Sequence, residues 1–416
     1  MKKLRVAIVS PFPPSKNTLN EYAHHLVGHL KDKAEIEAIT VLTDELPNGA
    51  TYPETSSDSN IEIQSVWKFN SLTNIYKIVR AIKKSKADVV LFNIHFMSFG
   101  EGKIPAALGL LTPYLARLSG VKTMVLLHNI VETVDLTSAG FTKNKLAGAV
   151  YEFIGTMLTR FILRADMVAV TISKYVEILR SKYKAKNVVL IPHGSFETLD
   201  KPNHEIPEGP KQIMAFGKFG TYKKAEGLIE AVKIIRSRTN LDLEIVIAGT
   251  DSPNCPGYLK SVEESYSDVP QLRFTGYVAE EDVPKTFCDS TVVVFPYTST
   301  TGSSGVLHQA GSYAKACVLP NIGDLKVLIE EEGYRGVYFA PDNPESLAEA
   351  IQSLLEDDAL RKKMEEANFV AATGLPMSEI ANWYVNHFTF LTRGNKNLRV
   401  THKNKKLIKA KAKQVV

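Results

Sequence analysis

Cysteine is scarce in this chain: Cys255, Cys288 and Cys317 are the three among 416 residues. An odd number without zinc-type spacing argues against a disulfide framework or a cysteine metal scaffold, and for a reducing compartment. Long apolar runs are missing as well. No window reaches the roughly 18 uncharged apolar residues that a spanning helix requires, because Arg117, Glu152, Arg160 and Arg164 interrupt the best stretches. The start MKKLRVAIVSPFPP is basic, but its apolar run, Val6 to Val9, ends in prolines and is too short for a secretory signal. Neither export nor a membrane span is expected, which leaves a cytoplasmic protein. A basic body is lacking too. Fifty Lys+Arg against 45 Asp+Glu give +5, yet nine basic residues stand from Arg393 to Lys413 with no acid among them; without them 41 oppose 45, a net −4. A nucleic-acid binder would keep its basic excess in the body, so no nucleic-acid partner is expected.

What is present is two rounds of α/β alternation. In the first half Val6 to Ser10, Ala38 to Leu42, Val89 to Asn93, Thr123 to Leu127, Met167 to Thr171 and Val188 to Ile191 are the apolar runs of parallel strands buried on both faces. Helical stretches separate them, the first from about Leu19 to Lys31. A polar, proline-bearing segment, 196–210, reads as a linker. Strands resume at Ile213 to Phe216, then Leu243 to Ala248, Leu272 to Phe274, Val292 to Phe295, Cys317 to Pro320 and Gly336 to Phe339, with helices such as Lys224 to Ser237 and Pro344 to Leu355 between them. The expectation is two doubly wound, Rossmann-like domains facing across a cleft: 1–195, then 211–377 after the linker. A helix over 378–393 crosses back to the first domain, and a basic tail, 394–416, is expected to be disordered.

Two loops could carry chemistry. GKFGTYKKAEGLIEA, from Gly217 to Ala231, leaves a strand through two glycines and brings Lys218, Lys223 and Lys224 to a helix start. Cations beside glycine amides and a helix N-terminus suit a diphosphate; solvated loop lysines are an equal alternative. YTSTTGSSGVL, from Tyr297 to Leu307, follows the strand VVVFP and opens a helix. Gly302 and Gly305 bracket Ser303 and Ser304, either an anion cradle or a serine-capped helix. The stretch is neither a Walker loop nor a dinucleotide fingerprint.

Taken with their spacing, these loops belong to an ordered set: VSPFPP, LLHNIVE, RADMVAVTISKYV, VVLIPHGS, FGKFGTYKKAEGLIEA, LEIVIAGT, LRFTGYVAEEDVPKTFCDSTVVVFPYTS and PESLAEAIQSLL. In this set the chain resembles the retaining, GT-B-fold glycosyltransferases of family four over nearly its whole length. The resemblance implies a metal-independent hexosyltransferase with no cofactor. Its nucleotide-diphosphate sugar donor would be held by the second domain, and a glycan or lipid-linked acceptor would approach from the first, as in surface polysaccharide or glycolipid synthesis. It places Lys218 and Lys223 on the donor diphosphate and His128 on the donor sugar, as the catalytic residues. Gly217, Tyr277, Val278, Thr301, Gly302, Ser303, Ser304, Gly305, Val306 and Gln309 would line the donor. His128, with a near-neutral pKa, could donate or accept there.

The sequence departs from the family at its acidic pair, Glu-x7-Glu, where Thr301 and Gln309 stand. Gln309 could still accept from a ribose hydroxyl, whereas Thr301 is short for a sugar contact. The glycine pair of the first loop is replaced by Asn17 and Thr18, with asparagine able to take a left-handed conformation. Glu21 and Tyr22 are either acceptor contacts or simply a helix face, and His95 is structural or on the acceptor side. UDP and GDP donors are not distinguished. Other readings are a non-catalytic GT-B partner subunit, or an epimerase or hydrolase of nucleotide sugars. The tail, basic with Leu398, Val400, Leu407 and Ile408 interspersed, could also hold the protein on an anionic membrane at its inner face.

Overall fold

The computed structural model describes residues 2–53, 60–133, 145–197, 199–252, 255–299 and 303–393. Thr301, Gly302 and the 394–416 tail lie outside them. The described residues of 2–133, 145–193 and 377–393 form one compact unit, and those of 194–376 form another.

The first unit is built on a parallel sheet of β1 (Leu4–Val9), β2 (Ile36–Asp44), β3 (Ile61–Trp67), β4 (Val89–Ile94), β5 (Lys122–Leu127), β6 (Met167–Val170) and β7 (Val188–Leu190), in the order β3-β2-β1-β4-β5-β6-β7. Every residue of β4 is buried, as its uninterrupted apolar run demands of an inner parallel strand. The strand that the apolar runs do not reveal is β3. It lies at the sheet edge with mostly half-buried residues, so polar Glu62, Gln64 and Ser65 are tolerated and no apolar run forms. The helix Met377–Arg393 belongs to this unit: its Tyr384 is fully buried and shares a 3.2 Å hydroxyl hydrogen bond with Tyr22 on the helix Asn20–Leu30.

The second unit holds β8 (Lys211–Phe219), β9 (Leu243–Asp251), β10 (Leu272–Gly276), β11 (Val292–Val294), β12 (Ala316–Pro320) and β13 (Val337–Phe339), parallel in the order β10-β9-β8-β11-β12-β13. The chain builds outward from β8 to β10, then returns to add β11 on the other side of β8. That reversal makes the carboxyl ends of β8 and β11 the switch point, where loops diverge and leave room for a ligand. Beneath it Ile213, Ile245, Val292 and Val294 pack with Leu228, Ile229 and Ile351, each burial stabilising by about 1.5–3 kcal/mol. The helix Pro344–Glu356 starts with proline at its first position, and Asn343 Oδ1 accepts from the Ser346 amide at 3.0 Å, satisfying one orphan donor.

One boundary changes the reading of the first motif. Gly217 and Lys218 are strand residues, not loop residues, because β8 continues to Phe219 by pairing Gly217 with Gly249 and Lys218 with Thr250. Both glycines have positive φ, +127° and +137°, and a Cβ on Gly249 would stand 1.9 Å from the Gly217 carbonyl oxygen. Only glycine at 249 lets the two strands approach this closely.

Candidate functional site

The two motif loops, about eighty positions apart in sequence, are laced together at the switch point. Lys223 and Tyr297 form an isolated antiparallel bridge. On either side the Lys224 amide donates to Pro296 O at 3.0 Å and the Thr298 amide to Tyr222 O at 2.8 Å. The turn itself closes through the Gly220 amide to Lys223 O, 3.0 Å, with Gly220 at φ +108°. These bonds direct three lysines differently. Lys224 leaves the site: its Nζ donates to Gly220 O at 3.1 Å and lies 5.1 Å over the Tyr258 ring. Lys218 is half-buried on β8. Lys223 points inward.

Lys223 is 8% exposed, and its Nζ sits 4.8 Å over the Tyr297 ring. An ideal Cβ on Gly217 would be 2.5 Å from that Nζ, so glycine at 217 makes the space that the ammonium occupies. Among the described residues no carboxylate or carbonyl pairs with it. Burial pushes the Lys223 pKa down, opposed only by the nearby Tyr222 phenol. The contrast is Lys315, equally buried, whose Nζ donates to Cys288 O at 2.9 Å and Ser290 O at 3.1 Å. Lys315 is a satisfied structural cation. Lys223 is a largely buried ammonium over the Tyr297 ring with no anionic partner among the described residues, a position that favours the arrival of an anion.

The helix Gly305–Ser312 opens from the loop that is bridged to Lys223 at Tyr297, with Ser304 as its extended N-cap and no side-chain capping bond. Its first amides therefore remain available to an anion. Ser303, Ser304 and Gly305 are half-buried at this end, and Val306 is buried. Gln309, 9% exposed, lies in a shallow depression with Phe196, Glu197, Glu280 and Tyr313. Two carboxyl side chains thus line the same depression as the Gln309 amide, a proximity that no spacing in the sequence announces. Tyr277 and Val278 follow β10 at the sheet edge, two strands from β8, and Tyr277 is 52% exposed. Glu280, further along the same loop, lines the depression that holds Gln309.

His128 belongs to the first unit, one residue past β5. Its Nε2 lies 2.7 Å from Asn93 Oδ1, while Asn93 Nδ2 donates to Ser10 Oγ at 2.9 Å. With the asparagine amide committed to donating, the histidine must donate from Nε2, which leaves Nδ1 as an acceptor. Its pKa is not near neutral as expected. Burial first, then His193 and His95, hold it well below the usual value, so the ring stays neutral and only accepts at Nδ1. His193, in the stretch IPHG after β7, was not singled out by sequence; its ring is 6.1 Å from His128 and 4.9 Å from Tyr22. His95 Nδ1 accepts the Met97 amide at 3.1 Å, a local turn contact.

The first loop also differs from expectation. The left-handed residue is Leu19, φ +77°, and not Asn17, because the Asn17 side chain is held 2.6 Å from Asp44 Oδ2, which also accepts from Ser15 Oγ at 2.7 Å. Tyr22 is 1% exposed and spends its hydroxyl on Tyr384; it is core. Among the described residues no cluster of histidine, cysteine or acidic side chains could hold a metal ion, and no helix is long and apolar enough to cross a membrane.

Residues 210–357 match the family model described as Glycosyl transferases group 1. Alpha-D-kanosaminyltransferase of Streptomyces kanamyceticus is 28% identical over 156 residues, 37% of this chain and 39% of that protein. The matched part spans 39% of the length of the curated relatives. Among solved structures, sucrose-phosphate synthase (tll1590) from Thermosynechococcus elongatus gives a TM-score of 0.72 at 17% identity, over 94% of this chain and 100% of that one. Anabaena Alr3699/HepE in complex with UDP-glucose gives 0.67 at 13% identity, over 93% and 99%. The chain accordingly has the GT-B fold, two Rossmann-like domains with parallel sheets, and its second domain carries the glycosyl transferases group 1 match.

Proposed function

We propose that this protein is a retaining glycosyltransferase that moves a sugar from a nucleotide-diphosphate donor to a hydroxyl of a glycan or lipid-linked acceptor. The observation that carries the reading is Lys223, a buried ammonium with no anionic partner among the described residues, at the switch point of the second unit and bridged to the loop that opens the helix Gly305–Ser312. A diphosphate supplies the missing charge. Its negative charge grows as the glycosidic bond breaks, so a fixed cation and free amides favour the transition state over the bound donor. Lys218 on β8 adds a second cation to the same edge. Neutral His128 offers Nδ1 as an acceptor to a sugar hydroxyl, and the reaction needs no metal. The UDP-glucose complex of Anabaena Alr3699/HepE, which shares the fold, supports a nucleotide sugar as the donor class.

Calorimetry with UDP and GDP, followed by mass spectrometry of products from a panel of their sugars, tests this. Lys223→Ala is expected to weaken diphosphate binding by about 2 kcal/mol, roughly thirtyfold. Unchanged affinity in that variant would remove the lysine from the site. No heat with either nucleotide would favour a non-catalytic subunit.

A further inference from the structure

Behind the start of the helix Gly305–Ser312 lies a polar relay in which Ser303 alone is among the residues that the family likeness places on the donor; His308, Tyr334 and Glu332 are not. Ser303 Oγ is 3.1 Å from His308 Nε2, and His308 Nδ1 is 2.9 Å from the Tyr334 hydroxyl. Glu332 Oε2 stands 3.5 Å from the same Nδ1, but no hydrogen bond reaches that oxygen. His308 is 2% exposed, Tyr334 3%, and the Glu332 side chain 5%. Ser303, half-buried, is the end of the relay that faces outward.

Serine, histidine and glutamate in this order invite comparison with a hydrolase triad, and the partner of Nδ1 decides the matter. In a triad a carboxylate accepts from Nδ1–H, leaving Nε2 to take the serine proton. Here the hydrogen bond at Nδ1 is made by a phenol. The pKa of Tyr334 is raised well above its usual value by burial, so the phenol keeps its hydrogen, and Nδ1 is the one hydrogen-bond partner found for it. Nδ1 must then accept, the ring hydrogen sits on Nε2, and Nε2 donates to Ser303 Oγ. Glu332, raised to about 8 by burial and by Glu331, is neutral near pH 7 and does not force a hydrogen onto Nδ1. The relay thus runs opposite to a triad. With its oxygen occupied by a donor, the Ser303 hydroxyl can direct its own hydrogen only away from His308, where among the described residues no acceptor receives it.

We propose that His308 is a positioning residue that presents Ser303 as a hydrogen-bond donor to a phosphate oxygen of the nucleotide-sugar diphosphate. The inference rests on the donor-site reading above and deepens it: Ser303 joins Lys223 and the first amides of the helix as a third, directional contact. A phosphate ester dianion or diphosphate accepts only, so a hydroxyl locked as donor selects it over neutral groups.

Calorimetric titration of the full chain with UDP, GDP and their nucleosides is the test, on wild type, Lys223→Ala, Ser303→Ala, His308→Ala, His308→Gln and the Ser303→Ala/His308→Ala double variant. Ser303→Ala and His308→Ala should each weaken binding of the preferred diphosphate about tenfold. The double variant should be no weaker than either single one, since both remove the same hydrogen bond. His308→Gln, which keeps a donor, should recover most of the loss, and nucleoside binding should not change. Additive losses, or full affinity in Ser303→Ala alongside loss in Lys223→Ala, overturn the inference and leave the donor reading standing. Wild type without heat for either diphosphate overturns both. Should His308→Ala fail to melt cooperatively, the nucleoside control in Ser303→Ala and the recovery in His308→Gln decide the question.

Discussion

Glu332 is the residue whose environment most clearly costs stability. Its carboxyl lies inside the second unit at the last position of the helix Gly323–Glu332, where the helix dipole also disfavours an anion. Burial, then Glu331, lift its pKa from 4.5 to about 8. The unfolded chain ionises this group first as pH rises, so folding loses free energy from about pH 5 up to about pH 8, and the deficit is then constant. Glu332→Gln removes the ionisation from both states. The variant should match wild type near pH 4 and exceed it by a few kcal/mol near pH 9. Thermal melts at the two pH values check this; a gain of equal size at both would show that packing, not ionisation, is responsible.

At the scale of elements, β8 and β9 meet through Gly217 and Gly249 so that Lys223 can fold over the strand. Gly249→Ala would drive a methyl into the Gly217 carbonyl oxygen, 1.9 Å away, at a φ of +137°. We expect it to cost about 2–3 kcal/mol and to weaken nucleotide binding by displacing β8. Gly227→Ala, in the helix Ala225–Arg238 with open space around its Cα, should instead add about 0.5–1 kcal/mol. Urea melts of both variants test the pair, and equal effects would contradict the close approach. The same strands show what sequence makes legible. β4 and β11 could be read because both faces are covered, which leaves an uninterrupted apolar signal. Gly249 could not, since its demand comes from a partner 32 positions earlier on another strand. The lysine and serine loops were legible as motifs. Their lacing through Lys223 and Tyr297, the low pKa of His128, and the nearness of Glu197 and Glu280 to Gln309 all depend on tertiary pairing and burial, which no local spacing encodes.

Over the whole molecule, the first unit is discontinuous in sequence, and this has a thermodynamic consequence. The helix Met377–Arg393 shows apolar residues at 377, 380, 381, 384, 385 and 388, the helical period that makes it readable as an element. Nothing in that period says which of two similar sheets it joins. Its partner is the helix Asn20–Leu30, with Tyr22 and Tyr384 bonded across 362 positions. Removing residues 377–416 deletes Ile380, Tyr384 and Phe388, all fully buried, and uncovers Tyr22, the partner of Tyr384. At about 1.5–3 kcal/mol for each large side chain, the loss approaches the roughly 5–15 kcal/mol by which a domain is stable. The truncated chain should therefore lose the first unit while the second, whose strands β8 to β13 and core lie within 194–376, keeps its own transition. Calorimetric scanning would show one melting transition in place of two, and limited proteolysis would leave a fragment close to 194–376. If residues 1–376 retained both transitions and resisted proteolysis across 2–193, the first sheet would be stable without its returning helix, and the sequence discontinuity would carry no energetic weight.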